Sequence, residues 1–210
     1  RRLLRSADAV VAVSEWERDR LREDFGVDAT VVRNGVDAER FRSADPHERD
    51  RPYLLTVGRL EAYKGVQHAV RALSELPGYD LVVAGSGDYR AELARLARSA
   101  GVADRVTFAG YVDDDELPGL YAGAAVHLAL SEFEAFGLTV GEALAAGTPC
   151  VVGTDSALSD WTQYEGVAGV PDASPRAVGD AVERVVGATP ETDLPSWDEA
   201  VRRLEALYTR

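Results

Sequence analysis

A basic pair beside a glycine is the first feature of the chain that suggests chemistry. Lys64 is the only lysine among 23 lysine and arginine residues, and it lies six residues after Gly58 in the segment GRLEAYKG. The apolar run YLLTV precedes that segment and predicts a strand. Arg59 offers a planar fork of donors and Lys64 a compact ammonium, and both suit phosphate oxygens. We therefore predict a phosphate site at the end of a strand, with a surface lysine beside a turn glycine as the alternative.

Two glutamates flank the predicted start of a helix in the segment SEFEAFGLTVGEALAAGTPCVVG, residues 131–153. The helix opens at residues 136–138, where free N–H groups and the positive dipole end favour an anion. Glu142 lies further along this helix, and its two acceptor oxygens suit the vicinal hydroxyls of a ribose. Glu134 lies in the loop before the helix and points toward the group beyond the phosphates. The alternative is a solvated Glu142 and a Glu134 placed there only by the helix dipole.

Short apolar runs alternate with stretches of helical period along the whole chain. The predicted strands are residues 9–14, 30–34, 53–58, 80–85, 105–110, 126–130 and 150–153. The predicted helices are residues 15–25, 66–76, 89–100, 115–122, 138–146, 175–186 and 196–208. Continuous apolar strands are typical of a sheet with helices on both faces. The alternation predicts an α/β fold with a doubly wound, Rossmann-like parallel sheet, whose ligands bind beyond the carboxyl ends of the strands.

Glycines end several predicted strands at the edge where such a fold binds ligands. They are Gly58, Gly85, Gly110 and Gly153, and residues 85–88 read as a tight polar turn. Any one of them is explained by turn chemistry alone. Four at equivalent places indicate a functional edge.

Composition argues against several classes of function. A net charge of -13 without a basic stripe argues against nucleic acid as a partner. The single cysteine, Cys150, excludes an internal disulfide and a cysteine-based metal cluster, and the three histidines lack ligand spacing. The acidic run at residues 113–115 reads as a solvated loop before a helix. We therefore predict no metal and no cofactor.

Length and terminal features set further expectations. A chain of 210 residues can bury the core of one ordinary domain. It contains no methionine, which predicts a piece of a longer protein. No apolar run approaches the length of a membrane span, and the start does not resemble a signal peptide. We expect a cytoplasmic protein.

The glutamate pair and the basic segment together resemble a known family. Glu134 and Glu142 within EAFGLTVGEALAAGTPCV, preceded by GRLEAYKG, look like the C-terminal donor-binding domain of retaining glycosyltransferases with the GT-B fold, family 4, also called glycosyl transferases group 1. The leading segment from Ala7, with its stretch NGVD at residues 34–37, is similar to the hinge region of that family. FAGYVDDDELPGLYAGA, from Phe108, resembles the strand and helix beside its base pocket. The resemblance covers nearly the whole chain.

The resemblance implies roles for particular residues. Arg59 and Lys64 match the residues that neutralise the diphosphate of a nucleotide-sugar, and Glu134 matches an acid that holds sugar hydroxyls and has a catalytic role. Glu142 matches the glutamate that binds the ribose. No metal is implied, because cationic side chains stabilise the leaving diphosphate. The remaining donor contacts that the resemblance implies are at Gly58, Gly85, Gly87, Tyr111, Val112, Phe136, Gly137 and Leu138.

The implied enzyme is a hexosyltransferase that moves a sugar from a nucleotide-sugar donor to a glycan, lipid or small-molecule acceptor and keeps the anomeric configuration. Residues 1–40 are then the end of an N-terminal acceptor domain and its hinge, 41–195 the nucleotide-sugar-binding domain, and 196–210 a helix returning toward the N-terminal domain. The polar loop at 41–51 predicts the hinge or boundary. Without the acceptor domain the fragment is expected to be inactive alone. Peripheral attachment of the full-length protein to the inner face of the membrane stays open.

Two departures from the family and two rival functions remain. Ala135 replaces a glycine that is usual before Phe136, and residues 154–169 replace the usual Gly-Gly and acidic residue after a strand. The rivals are a non-catalytic module that binds a nucleotide or sugar phosphate, and a nucleotide-sugar epimerase of the same architecture. Fold alone does not separate these functions.

Overall fold

The computed structural model describes residues 6–191 and 193–208. Outside that description lie residues 1–5, 192 and 209–210. They belong, in that order, to the predicted regions 1–40, 41–195 and 196–210. The described strands are β1 (Val11–Ala12), β2 (Thr30–Val31), β3 (Tyr53–Val57), β4 (Asp80–Ala84), β5 (Val106–Gly110), β6 (Val126–Ala129), β7 (Cys150–Gly153) and β8 (Val167–Val170).

The described α-helices follow the predicted alternation. They are α1 (Glu15–Phe25), α2 (Ala38–Arg42), α3 (Val66–Ala72), α4 (Arg90–Ser99), α5 (Leu117–Gly123), α6 (Leu138–Ala145), α7 (Pro175–Val185) and α8 (Trp197–Tyr208). Short 3-10 helices cover Ala62–Lys64, Ala103–Arg105 and Ala157–Gln163. None of the helices in the described part of the chain is both long enough and apolar enough to cross a bilayer.

Six of the strands form one parallel sheet in the order β5-β4-β3-β6-β7-β8. The chain moves outward from β3 to β5 on one side and from β6 to β8 on the other, so the direction of winding reverses between β3 and β6. In an open parallel sheet, the crevice for a ligand forms beyond the carboxyl ends of the strands at such a reversal. The predicted doubly wound α/β sheet is confirmed.

Helices cover both faces of this sheet. Leu54 and Val83 pack on one face with the buried sides of α3, α4 and α7. Leu55 and Val152 pack on the other face with α2, α5 and α6. Neighbouring residues of a strand point to opposite faces, so two-sided burial requires apolar side chains throughout. This is why the central strands are visible in the sequence as largely apolar runs, with Thr56 and His127 as buried polar residues in β3 and β6.

The first two strands form a separate parallel pair that α1 connects. The Ser14 hydroxyl caps α1 by accepting the N–H of Glu17 at 3.0 Å. Asp160, from the loop region after β7, accepts the N–H of Glu15 at 2.7 Å and so joins this pair to the larger sheet unit. The division into residues 1–40, 41–195 and 196–210 stays a prediction.

The loop predicted as a hinge, residues 41–51, is held against the main sheet unit. It begins inside α2, where Phe41 is buried in the core beside Tyr121. Further along, the N–H of His47 donates to the carbonyl of Gly119 at 2.9 Å. The start and middle of this loop are therefore anchored to α5.

Besides the three 3-10 helices, the sequence patterns missed one strand and one α-helix of the described chain. In β8, a Cβ at Gly169 would lie 2.8 Å from the Thr154 side chain, so the close packing favours glycine there. Glycine is uncommon in strands, and its presence weakens the sequence pattern that would predict one. Helix α2 has only five residues, too few for a helical period to show.

The helix predicted at residues 66–76 ends at Ala72. Beyond it the N–H of Glu75 donates to the carbonyl of Ala72 at 3.0 Å, and the N–H of Leu76 donates to that of Leu73 at 3.3 Å. This three-residue spacing marks a tightened final turn, which apolar periodicity does not separate from an α-helix.

His127 lies in β6 at the centre of the sheet and is fully buried. Its Nδ1 lies 3.1 Å from the carbonyl oxygen of Leu55, which can only accept, so Nδ1 carries the proton. Among the described residues, Nε2 has no hydrogen-bond partner. Burial lowers the pKa of His127 to about 4, although the Leu55 hydrogen bond opposes the shift.

This histidine predicts a loss of stability in mild acid. Because the pKa of His127 is about 4 in the folded chain and about 6.5 when unfolded, the unfolded chain takes up the proton first as the pH falls. The contribution of the uncharged His127 to the free energy of unfolding is present above pH 6.5 and is lost as the pH falls from 6.5 to 4. From pH 7.5 to pH 5 we expect the free energy of unfolding to fall by about 2 kcal/mol from this group. Urea denaturation at the two pH values measures it.

The control uses the exposed His47. His127→Leu is expected to flatten the dependence of stability on pH over this interval, whereas His47→Gln leaves it unchanged. Comparing slopes rather than absolute stabilities removes the cost of repacking the sheet. Equal slopes in the parent and His127→Leu proteins would show that the buried ring does not titrate as described.

Candidate functional site

The carboxyl ends of β3 and β6 hold the charged residues that the sequence singled out. Arg59 and Lys64 follow β3, and Glu134 follows β6. Because these strands are neighbours at the reversal of winding, their loops meet at the crevice of the sheet. The N–H of Glu132 donates to the carbonyl of Tyr63 at 2.8 Å and fixes the two loops against each other.

Lys64 and Glu134 form an ion pair across the crevice. Lys64 Nζ lies 2.8 Å from Glu134 Oε2, and the two side chains are 23% and 25% exposed. Water screens such a partly buried pair less than it screens a surface pair. Lys64 Nζ also lies 5.5 Å from the centre of the Tyr63 ring. The structure therefore brings the predicted phosphate-binding cation into contact with the predicted sugar-binding acid.

A cavity of about 190 Å³ adjoins the ion pair, and both partners line it. Gly58 and Arg59 contribute to its wall from the loop after β3, and Thr139 does so from α6. The Arg59 side chain is 70% exposed, and its guanidinium lies 2.9 Å from the Glu61 carboxylate. It also donates to the Tyr63 hydroxyl at 2.7 Å. Its present partners thus belong to its own loop.

The start of α6 offers backbone donors beside this pair. Gly137 precedes the helix with φ of +88°, in the left-handed region, and no described side chain caps the first turn. The left-handed conformation favours glycine at this position, where a Cβ would also lie 2.6 Å from Leu158 Cδ2. Leu138, the first helical residue, is 38% exposed. The predicted anion-favouring helix start is thus present.

The segment after β7 supports the loop that carries Glu134. Trp161 is buried, its indole Nε1 donates to the carbonyl of Phe136, and the two rings meet edge to face at 5.2 Å. The N–H of Ala157 donates to the carbonyl of Glu134 at 3.1 Å. Residues 154–169, which depart from the family pattern, therefore hold this loop in place.

Ala135 does not strain the same loop. No non-glycine residue in the described ranges has a positive φ, so the position does not need the conformational freedom of glycine. The residue is exposed, and its N–H donates to Glu134 Oε1 at 3.2 Å. Its methyl group therefore adds no internal crowding.

Glu142 lies in α6 and is held by a residue of α5. The hydroxyl of Tyr121 donates to Glu142 Oε2 at 2.9 Å. Burial raises the pKa of the half-buried Glu142 carboxyl above its ordinary value, and the charge of Asp114 also raises it. The Tyr121 hydrogen bond and the charge of Arg40 lower it. Tyr121 thus favours the charged form against the effect of burial.

Three of the predicted glycines pack the loops after β3 and β4 together. A Cβ at Gly85 would lie 1.9 Å from the carbonyl oxygen of Gly58, and one at Gly87 would lie 2.4 Å from that of Leu60. The N–H of Leu60 donates to the carbonyl of Ser86 at 2.9 Å. These glycines permit the close approach of two backbones that shapes this side of the crevice.

Tyr111 and Val112 lie apart from the ion pair. They line a second cavity of about 630 Å³, together with His47 and Glu116, and Tyr111 is 74% exposed. The linings of the two cavities share no residue. The structure therefore separates the predicted base contacts from the predicted diphosphate contacts, and the roles of both sets stay predictions.

Sequence reasoning missed Tyr121, Trp161 and Thr139 as parts of the site. A signal existed for Tyr121, because a tyrosine on the apolar side of a predicted helix needs a partner for its hydroxyl. The partner lies on another helix, so the pairing itself was not visible. In the described part of the chain, no three His, Cys, Asp or Glu residues are arranged to hold a metal ion. The expectation of a metal-free reaction stays a prediction.

The chain is a Rossmann-like α/β domain with a charged crevice at the reversal of its sheet, which is where folds of this class bind ligands. The family model described as "Glycosyl transferases group 1" matches residues 37–187, and that described as "Glycosyltransferase Family 4" matches residues 1–40. The chain therefore belongs to the group 1 glycosyl transferases, and the resemblance to this family drawn from its motifs is confirmed. The retention of anomeric configuration stays a prediction.

Named relatives and a solved structure agree with this membership. The chain is 39% identical over 166 residues to glycogen synthase of Mycobacterium tuberculosis, a match that covers 75% of this chain and 40% of the relative. It is 34% identical to a GDP-mannose-dependent alpha-(1-6)-phosphatidylinositol monomannoside mannosyltransferase of the same species, with coverage of 96% and 56%. Sucrose-phosphate synthase from Thermosynechococcus elongatus superposes with a TM-score of 0.87 at 26% identity, with coverage of 99% and 59%.

The chain thus spans between 40% and 59% of the length of these proteins. Its structural similarity to sucrose-phosphate synthase extends over nearly all of its own residues. This chain therefore corresponds to one part of the GT-B architecture of the full-length proteins.

The half-buried Glu142 predicts a measurable effect on stability. Because burial places the pKa of its carboxyl in the folded chain above that in the unfolded chain, the charged form costs stability as the pH rises past its ordinary value. Glu142→Gln removes this charge and keeps an acceptor for the Tyr121 hydroxyl. We expect the variant to be at least as stable as the parent at pH 8, and to lose less stability between pH 4 and pH 8. Urea denaturation across this range measures both quantities.

The matched control is Glu183→Gln on the exposed side of α7, which removes the same charge from the surface. It is expected to leave the shape of the stability profile unchanged. A Glu142→Gln protein that is less stable than the parent at pH 8 would contradict the burial argument.

Proposed function

We propose that this chain is the donor-binding part of a glycosyltransferase, which moves a sugar from a nucleoside-diphosphate sugar to an acceptor and retains the anomeric configuration. The contact between Lys64 and Glu134 carries the proposal. The bond that breaks in such a transfer joins a phosphate oxygen to the anomeric carbon. A cation for the diphosphate and an acceptor for the sugar hydroxyls must therefore be neighbours, as these two side chains are.

Lys64 is the proposed ligand of the diphosphate. When the donor enters, its phosphate oxygens replace Glu134 as the partner of the ammonium, and the lysine then stabilises the charge that develops on the leaving diphosphate. Arg59 adds a second cation by leaving its neighbours Glu61 and Tyr63, a change that its exposure permits. These two cations would supply the stabilisation without a metal.

Glu134 is proposed to bind the transferred sugar through its carboxylate and to have a catalytic role. Once Lys64 turns to the diphosphate, Glu134 Oε2 is free to accept hydroxyl hydrogen bonds, which strengthen as charge develops at the anomeric centre. Retention of configuration rests on the resemblance of the glutamate pair to the retaining family. The backbone of Phe136, Gly137 and Leu138 supports the distal phosphate and the sugar from the start of α6.

The nucleoside is proposed to extend away from the ion pair. Glu142 accepts from the ribose hydroxyls, and Tyr111 and Val112 meet the base with their backbone. The mannosyltransferase relative is described as GDP-mannose-dependent, which supports a nucleoside-diphosphate sugar as the class of donor.

The acceptor is proposed to bind sequence outside these 210 residues. The named relatives are about twice as long as the part that this chain matches, and transfer requires both reacting groups to be held together. In a full-length protein, the crevice that holds Lys64 and Glu134 would face that remaining part. The chain alone is then a binder of donor rather than a complete catalyst.

Calorimetric titration with UDP, GDP and ADP tests the diphosphate site. We expect one of them to bind selectively, and Lys64→Ala to weaken that binding roughly 10- to 100-fold, because a charge-assisted contact to phosphate is lost. Arg98→Ala, which removes one positive charge from the exposed side of α4, is the matched control and should bind like the parent. The proposal fails if none of the three binds at millimolar concentration, or if Lys64→Ala binds as tightly as the parent.

Two further measurements separate sugar transfer from the rival functions. The first is NMR of the sugar resonances, because an epimerase of this architecture would convert a nucleotide-sugar without any acceptor. A glycosyltransferase donor site binds the nucleotide-sugar without epimerising it, and a Glu134→Gln variant weakens binding of the sugar-bearing donor more than binding of the bare nucleotide. Equal loss for both ligands would favour a nucleotide-binding module that does not use the sugar.

A further inference from the structure

Tyr121 is one of the most constrained side chains in the structure. It is fully buried in α5, with the ring of Phe41 at 5.7 Å and the ring of His127 at 5.4 Å, both edge to face. Its backbone carbonyl accepts the hydroxyl of Thr148 at 2.6 Å. Ring contacts and a tied backbone leave the Tyr121 hydroxyl with one position, directed at Glu142.

The bond from Tyr121 to Glu142 is more than a means of satisfying a buried hydroxyl. The buried Tyr53 shows the simpler solution, since its hydroxyl donates to the backbone carbonyl of Leu120 at 2.8 Å on the same helix α5. Tyr121 is paired instead with a carboxylate, whose charge is disfavoured by burial. A carboxylate kept partly buried at a stability cost, and oriented by a rigid donor, is typical of a functional position.

The two oxygens of the Glu142 carboxylate differ in their contacts. Oε2 accepts from Tyr121 at 2.9 Å, and a carboxylate oxygen on the other side of the group remains available as an acceptor. An oriented acceptor loses less rotational freedom when a ligand binds than one that turns freely. The charges of Arg40, in α2, and of Asp114, in the loop before α5, also act on Glu142, and neither residue belongs to α6.

We propose that Tyr121 is a positioning residue for the nucleotide, which holds the Glu142 carboxylate by Oε2 so that the group can accept from the vicinal hydroxyls of a ribose. The inference rests on the proposed function and adds to it a residue that never touches the ligand. Tyr121 acts through Glu142 alone. Its effect on affinity must therefore depend on the presence of ribose hydroxyls.

Paired nucleotides test this dependence. UDP, GDP and ADP are titrated beside their 2′,3′-dideoxy analogues into the parent chain and into Tyr121→Phe. The parent is expected to prefer the ribose form of the nucleotide that binds. In Tyr121→Phe we expect the affinity for that form to fall by about five- to tenfold, with the affinity for the dideoxy form unchanged. The ratio of the two affinities is the measured quantity, and a general loss of structure does not change it selectively.

Tyr53→Phe is the matched control, because it removes another buried hydroxyl that bonds to α5. It should leave the ratio at the parent value. Glu142→Ala supplies a second measurement, a double-mutant comparison. In the Glu142→Ala background, Tyr121→Phe should have no further effect on the ratio, since the residue acts through the missing carboxylate.

The possible outcomes separate the two proposals. If the parent binds a nucleotide through Lys64 but does not distinguish ribose from dideoxyribose, the positioning role is overturned while the diphosphate site stands. If Tyr121→Phe weakens both forms equally, or weakens neither, the role is also overturned. If the parent binds no nucleotide, the proposed function fails and the positioning role fails with it. Selective loss for the ribose form alone supports the role.

Discussion

The parallel pairing of β3 with β6 is the constraint on which the rest of the structure depends. Leu54 pairs with Val126 and Leu55 with His127, at the seam between the two halves of the sheet. Each half winds outward from this seam, so loops from both halves leave it at the same edge. Lys64 belongs to one half and Glu134 to the other. Their contact exists only because residues 70 positions apart are joined by this pairing.

The loops at that edge are held by contacts between backbones and buried rings. Gly85 lets the loop after β4 approach the loop after β3, the Tyr63 carbonyl bonds the loop after β6, and Trp161 braces that loop from the segment after β7. The loops after four strands that are neighbours in the sheet, β4, β3, β6 and β7, thus support one another. A site built in this way is oriented before any ligand arrives, which lowers the entropy cost of binding.

How far the sequence predicts this arrangement depends on the range of the interaction. The central strands, the helix start at Gly137 and the separate basic and acidic motifs follow local patterns, because two-sided burial and turn chemistry leave a direct signal. The bond between Tyr121 and Glu142 joins two helices whose relative rotation is set by the packed core. Trp161 reaches Phe136 from a segment without helical or strand period. Such contacts become visible only when the sheet is assembled.

The pairing of Lys64 with Glu134 also affects the rate at which an anion reaches the crevice. The sequence carries a net charge of -13, and the ion pair cancels the lysine charge until a ligand displaces the carboxylate. At long range, a diphosphate therefore meets repulsion from the chain, and it meets attraction only within the last few ångströms. Counterions shorten the reach of the repulsion to about 8 Å at physiological ionic strength. Moderate salt should therefore speed the encounter, in contrast to the behaviour of a site that lies in a positively charged surface.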